Sequence, residues 1–403
     1  MRHYEIVALA TTLAACNSSS ALTSAPPDDG GLASPSSPSI EASTDGGGSG
    51  PADSSSPSPG TPADSGAQDA SPTGAQDASP AAAVIGSLTI TTIGSTIDPT
   101  NGDQNPYGLA IAPISAGLLT AGDLVICNFN DSANVQGNGT TIELLHPKPG
   151  STPTRMVQDP NLKGCAALAV AKDDSPWAAA YSSNLAPFYG PTGSLVSTLS
   201  NGPWSGPWGE VYAPAFGSTG TASYVTSNAT SGTIVRVDVA GTTFTTIATG
   251  FTLNAGAVPG NILGASGLTY DAARDTLFVV DSNQNRVLAF AGYSTLAANA
   301  IVVESNGTFS GPSAASARVV FAGAPLNAPI SAAQLFNGDL VVGNTADNLL
   351  VEISLAGAVV ATQNLDTGAV GALFGIAASG TDASSTKIYF NDDNDNTVKV
   401  LAP

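Results

Sequence analysis

From about residue 84 onward, short apolar runs alternate with polar turns in a repeating order. The clearest instance is TLFVVDSNQNRVLAF at 276–290. Its two apolar halves, 276–280 and 287–290, are rich in β-branched and aromatic residues and read as strands. The polar DSNQNR between them, at 281–286, reads as the turn of a hairpin. About ten residues earlier, GLTY at 267–270 is a third short strand that begins on a glycine.

Variants of this unit recur to the end of the chain. First strands are predicted at 107–110, 166–169, 208–211, 266–269, 328–331 and 374–377. Second strands follow at 123–127, 177–181, 223–226, 276–280, 339–342 and 387–390. Third strands fall at 233–237, 287–290, 350–353 and 398–400, and fourth strands at 244–248, 318–321 and 359–363. Six units with a period of roughly 50 residues predict a radial array of sheets, an all-β six-bladed β-propeller. LTITTI at 88–93 looks like a fourth strand with no preceding three, and the last unit stops after its third strand at Leu401. The N-terminal strand is therefore expected to complete the final blade and close the ring, which leaves no open sheet edge.

The glycine-leucine starts and the hairpin VDSNQNRV at 280–287 resemble the NHL family of six-bladed propellers, over about Gly86 to Ala402. The resemblance implies the fold. It also implies a range of roles, because similar propellers are protein- or ligand-binding platforms and others of the same shape are lactonases or lyases.

Composition narrows the chemistry. The formal net charge is −20, so a nucleic-acid partner, which needs a basic footprint, is not expected. Anionic lipid headgroups would repel such a chain unless something anchors it. Only His3 and His146 are present, which excludes a three-histidine zinc site and an HExxH helix and leaves a Ser-His-Asp triad without support.

The first sixteen residues, MRHYEIVALATTLAAC, resemble a bacterial lipoprotein signal peptide: a basic start, a short apolar run and a Leu-Ala-Ala-Cys cleavage box. The resemblance implies that Cys16 is lipidated and becomes the first mature residue. The chain would then reach the membrane through that anchor alone, at the bacterial outer membrane or cell surface. Residues 17–83 are Ser-, Pro-, Ala-, Gly- and Asp-rich, without an aromatic residue, lysine or arginine. They are expected to be a disordered tether, with the propeller beginning at residue 84. Cys127 and Cys165 remain as a pair. They read equally as a disulfide in an oxidising compartment and as two buried thiols.

Three groups of candidate site residues emerge. Glu210 takes the slot that Leu109, Leu168, Leu268, Ile330 and Ile376 hold in other first strands, with Trp208 and Tyr212 on the same side by alternation. It reads as a channel metal ligand or general base, or as a structural hydrogen-bonding group. Asn128, Asp281, Asn344 and Asp392 end second strands. Their oxygens could converge on calcium or magnesium, or could fix their own turns. Tyr107, Trp204, Trp208 and Phe374 form either an apolar or sugar-binding rim or inter-blade core. NDDNDN at 391–396 lacks the glycine and distal glutamate of an EF-hand and reads as a solvated hairpin turn.

The function expected from these features is a non-enzymatic platform, a monomer that binds an envelope protein or a small ligand and needs no cofactor. The alternatives are a divalent-metal-dependent hydrolase of the lactonase type, using Glu210 with the Asn and Asp set, and a structural surface protein.

Overall fold

The hairpin that typifies the repeat forms as strands Thr276–Asp281 and Arg286–Ala291, and its turn ends on Asn285 at φ 47°. Backbone at positive φ crowds most side chains; asparagine is one of the few residues that accept it. Asn184, Asn348 and Asn396 sit at the same turn position in three other blades, with φ of 51°, 56° and 52°, and Gly232 does so in a fourth at 63°. The four asparagines then act through their side chains. Oδ1 of Asn184, Asn285, Asn348 and Asn396 accepts the backbone N–H of Gly206, Ala328, Ala372 and Asn105 at 2.7, 2.7, 3.0 and 2.7 Å. Each of those amides lies at the start of the next blade. One residue thus closes a hairpin and ties its blade to the following one.

This computed structural model describes residues 82–218, 220–254 and 263–403. The proposed signal peptide, the Cys16 lipidation site and all but the last residues of the tether lie outside them. The described chain forms six sheets. Blade 1 comprises Gln104–Ile111, Leu124–Asn130, Thr141–Leu145 and Thr154–Gln158, from the channel outward. Blade 2 comprises Cys165–Val170, Pro176–Ala180, Ala186–Tyr189 and Leu195–Leu199. Blade 3 contains Pro207–Ala213, Ser223–Asn228, Thr233–Asp238 and Phe244–Thr249. Blade 4 adds Ala265–Asp271, Thr276–Asp281, Arg286–Ala291 and Ala317–Ala322, and blade 5 Pro329–Gln334, Leu340–Asn344, Leu349–Ile353 and Val359–Asn364. Blade 6 is Leu373–Ser379, Lys387–Asp392, Thr397–Ala402 and, outermost, Thr89–Ser95. The N-terminal strand runs antiparallel to Thr397–Ala402, so the ring closes as its sequence predicts.

Burial follows position in the blade. Leu124–Asn130 and Thr276–Asp281 are buried along their whole length, because neighbouring blades cover both faces of a second strand. Such strands appear in sequence as unbroken apolar runs. Outer strands such as Leu195–Leu199 are largely exposed. The third and fourth strands of blades 1 and 2 escape a sequence reading: the fourth are partly exposed, and the third, TIELL and APFY, are short although buried. So does a hairpin of Ile301–Val303 and Phe309–Ser310. It leaves blade 4, pairs in parallel with the outer strand of blade 3 and covers that edge. Arg236 of blade 3 fastens this excursion through hydrogen bonds to the carbonyls of Tyr293, Ser294 and Leu296.

Around the channel, one position of every innermost strand is small: Gly108, Ala167, Gly209, Gly267, Ser331 and Gly375. Each strand bulges there. A Cβ on Gly209 would lie 2.0 Å from the Ser266 carbonyl, and one on Gly267 2.5 Å from Ser331 Cα. At Gly375 it would meet the Tyr107 carbonyl at 2.6 Å. Links between consecutive blades surround this ring. Cys127 and Cys165 form a disulfide between blades 1 and 2, with Cα atoms 5.6 Å apart. Asn184 joins blade 2 to blade 3, and Ser227 Oγ donates to the Ser266 carbonyl at 2.7 Å between blades 3 and 4. The Ser282 hydroxyl donates to the Pro329 carbonyl and the Ser331 hydroxyl to that of Phe374. Asn391 Nδ2 completes the circuit by donating to Gly108 O at 3.1 Å.

The chain joins the propeller on the lower face, where the innermost strands end. There Val84, Ile85 and Leu88 are buried against blades 5 and 6. The buried Glu352 carboxylate accepts the backbone N–H of Val84 at 2.9 Å and of Ile85 at 3.0 Å.

The turn asparagine can be tested by two substitutions. Asn285→Gly keeps the backbone conformation but removes the inter-blade acceptor, at a cost of about 1 kcal/mol. Asn285→Ala loses the acceptor and also meets left-handed strain, at about 2–3 kcal/mol in all. Denaturant unfolding of both variants gives this order; equal losses would remove the conformational part of the explanation.

Candidate functional site

The innermost strands begin at the upper face, and their first inward layer contains Tyr107, Trp208, Ile330 and Phe374. Tyr107 stacks between Phe129, with ring centroids 4.2 Å apart, and Phe374, at 3.7 Å. Trp208 meets Tyr107 and Phe129 edge-on, and Tyr181 meets Trp208 in the same way. Tyr107, Phe129, Trp208 and Phe374 are all buried. They make an aromatic plug across the upper end of the channel rather than an open rim. Burial drives the Tyr107 hydroxyl well above its usual range, helped by nearby Asp393. Phe129 and Tyr181, which end second strands, are absent from the sequence-based set; a recurrent aromatic position at second-strand ends would have pointed to them. Trp204 is elsewhere. Its Nε1 donates to Leu199 O at 2.6 Å, and its ring packs edge-on to Trp177 and Phe244.

Below the plug lies a cavity of about 70 Å³. The strand bulges place Leu109, Leu168, Glu210, Leu268, Ala332 and Ile376 in one layer here, paired with matching second-strand positions. Ile330 is one layer higher than the sequence alignment put it, and Ala332 takes its place: Pro329 lies opposite Asn344 as Pro106 lies opposite Asn128, so Ile330 corresponds to Tyr107 and the alignment of blade 5 is two residues out of step. Glu210 Oε1 accepts from Thr226 Oγ1 at 3.2 Å, whereas Oε2 is buried without a partner. The Trp177 indole N–H lies nearby but is not aligned into a hydrogen bond. Loss of water pushes the Glu210 carboxyl well above the usual carboxylate range.

Asn128, Asp281, Asn344 and Asp392 share one structural position, opposite the start of the innermost strand, and Asn228 fills it in blade 3. Asn128 Nδ2 donates to Thr96 O at 3.0 Å and Thr141 Oγ1 at 3.2 Å; Asn228 does the same to Pro203 O and Thr233 Oγ1, both at 3.0 Å. Asn344 Nδ2 reaches Pro325 O at 2.8 Å. Asp281 pairs with Arg286 Nε at 2.7 Å and Asp392 with Lys399 Nζ at 2.6 Å. These side chains hold their own turns and approach loops, and none of them lines the Glu210 cavity. Among the described residues, no group of three or more His, Cys, Asp or Glu side chains is placed to hold a metal ion.

What the upper face does carry is a cleft of about 480 Å³ above the plug. Tyr107, Phe374, Ile330, Leu263 and the exposed Val370 give it apolar walls, and Asp393 supplies a carboxylate. Asn105, itself at φ 62°, donates from Nδ2 to Asp393 Oδ2 at 3.2 Å, while Oδ1 has no partner. Burial, reinforced by the neighbouring Asp392, pushes the Asp393 carboxyl up to about 7. The 391–396 stretch is thus not a solvated turn throughout. Asn391 and Asp392 are buried, Asn396 is an inter-blade latch and Asp393 turns into the cleft.

No protein-family model matches the chain, and no curated protein sequence matches it. Among solved structures it is similar to a gluconolactonase from Xanthomonas campestris, with TM-score 0.52 and 10% identity over 79% of this chain and 90% of that one. It is also similar to a chain of a nidogen–laminin complex, with TM-score 0.51 and 15% identity over 73% and 98%. A virginiamycin B lyase from Staphylococcus aureus aligns with TM-score 0.47 and 15% identity over 78% and 99%. The first two likenesses show the propeller fold and nothing finer.

Two outcomes follow from the carboxyls. Asp393 binds its proton more tightly folded than unfolded, so its contribution to stability is full below about pH 4 and is lost as pH rises toward 7. Subtracting the Asp393→Asn stability curve from that of the native chain should leave this decline; a flat difference would contradict the raised pKa. Glu210→Leu, which matches the surrounding layer and deletes an unpartnered polar atom, should leave the melting temperature unchanged or higher. A fall equivalent to more than about 2 kcal/mol would mean that Glu210 has a structural partner.

Proposed function

We propose that this protein is a non-enzymatic binding propeller of the bacterial cell envelope, anchored through lipid on Cys16, with the upper-face cleft as its binding surface. The observation that carries the reading is the cleft itself. It is large enough for a small molecule or a projecting side chain, it has apolar walls, and it ends on the aromatic plug. The plug separates it from Glu210, so the two carboxyl sites do not act on one ligand. The side chains needed for a lactonase-type metal centre do not line the Glu210 cavity: Asn128 and Asn344 are held through Nδ2 by loop carbonyls, and Asp281 and Asp392 pair with Arg286 and Lys399. A Cys127–Cys165 disulfide suits an extracytoplasmic location. The chain joins the propeller on the lower face, opposite the cleft, so an N-terminal tether would leave the cleft unobstructed.

The test uses the full-length chain expressed in a double-membraned bacterium. Cys16→Ser should move the protein from the membrane to the soluble fraction; retention would remove the lipid anchor from this account. In parallel, a small-molecule library is screened against the purified protein by thermal shift. Ligands should lose at least tenfold in affinity with Val370→Trp, which fills the cleft, and be indifferent to Phe336→Ser on the lower face. Binding insensitive to Val370→Trp, or conversion of a bound compound to product, would overturn the proposal.

A further inference from the structure

The cleft combines features that select the charge of its ligand. Beside the neutral Gln136, Asn254 and Thr345, the one ionisable carboxyl among its described lining residues is Asp393, which has an oxygen that lacks a partner. Among the described residues, no Lys, Arg or His lines the cleft to neutralise it. Lys399, on the next strand of the same blade, is already committed to Asp392 and Asp395 at 2.6 Å each. Aromatic and aliphatic side chains, Tyr107, Phe374, Ile330 and Val370, surround the carboxylate. A carboxylate in apolar surroundings is stabilised most by a cation that brings its own apolar body, since the ion pair then forms away from bulk water. Across the whole chain acids outnumber bases 31 to 11, so the long-range field draws a cation in and repels an anion.

We infer that the upper-face cleft binds a cationic amphiphile, an ammonium or guanidinium group on an aromatic or aliphatic body, with Asp393 as its counter-ion and the Tyr107–Phe374 side as its apolar seat. This rests on the cleft being the binding surface and names the class of ligand it takes. An amine of this kind, free or displayed by a lysine or arginine of a partner, presents the same chemistry.

The test is a matched trio of probes, 4-phenylbutylamine, 4-phenylbutanol and 4-phenylbutyrate, titrated into the full-length protein by calorimetry at pH 8. The amine should bind at least tenfold more tightly than the alcohol, and the acid should not bind. Asp393→Asn should make amine and alcohol equal, with folding checked by thermal melting. Val370→Lys places a positive charge on an exposed rim position and leaves the core untouched. It should weaken the amine at least tenfold more than it weakens the alcohol, which also loses one apolar wall of the cleft. Lowering the pH to 5.5 should weaken amine binding, because Asp393 then takes up a proton while Tyr107 stays neutral and Asp392 remains paired with Lys399. All three probes binding equally would overturn the cation preference while leaving the cleft as a binding surface. A preference that persists in Asp393→Asn would assign it to another group. Failure of all three to bind would reject this ligand class, and the library screen then decides separately whether the cleft binds anything.

Discussion

The whole molecule depends on how closely six innermost strands can approach one another around an axis. Gly209 and Gly267 show the limit, since an added Cβ would fall within ordinary bonding or hydrogen-bonding distance of the next blade's backbone. That closeness makes the inter-blade links possible. A serine or asparagine side chain is short, and it can reach a neighbouring carbonyl only if the backbones almost touch. Small residues at the ring, polar residues beside it and apolar second strands behind it are consequences of one spacing. The disulfide between Cys127 and Cys165 is its covalent form and would contribute about 2–4 kcal/mol through the loop it closes.

The same spacing decides what the channel can hold. Directly below the upper aromatic layer the six strands leave about 70 Å³, enough for one or two water molecules. Further down, the channel opens into a space of about 440 Å³ that Glu210 also lines. Large aromatic rings fill the upper end. Glu210 is left beneath them, half-satisfied, as an isolated break in an apolar layer. Above the plug, the turns and approach loops build a separate cleft. Blade 3 deviates most from the repeat. It carries Gly232 where blades 2, 4, 5 and 6 have a latching asparagine, and Glu210 where the others have an aliphatic residue. The blade 4 hairpin that pairs with its outer strand, tied down by Arg236, compensates at the far edge of the same blade.

Much of the fold is legible before any coordinates. The apolar runs mark second strands, the polar turns mark hairpins, and the unpaired LTITTI segment announces the closing strand that forms as Thr89–Ser95. The strands that escape notice are exposed outer ones, whose half-polar sequences resemble loops, and the short buried third strands Thr141–Leu145 and Ala186–Tyr189. The site is far less legible. Asn128, Asp281, Asn344 and Asp392 do form a set, as their common spacing suggests. Their shared role is to hold turns, because each side chain meets a loop carbonyl, a cross-strand hydroxyl or a basic group in its own blade.

Sequence alone determined the number of blades, the order of strands, the turn asparagines and the means of closure. Those properties follow from local periodicity and from backbone preferences that act within a few residues. Tertiary structure decided everything that depends on residues meeting across blades. Strand pairing sets Pro329 opposite Asn344 as it sets Pro207 opposite Asn228, and this puts Ala332, not Ile330, in the layer of Glu210. Tyr107, Phe129, Tyr181, Trp208 and Phe374 become a plug only because ring closure brings four blades to one axis. Asp393 becomes a cleft residue, rather than a solvated turn residue, because the neighbouring blades remove its water.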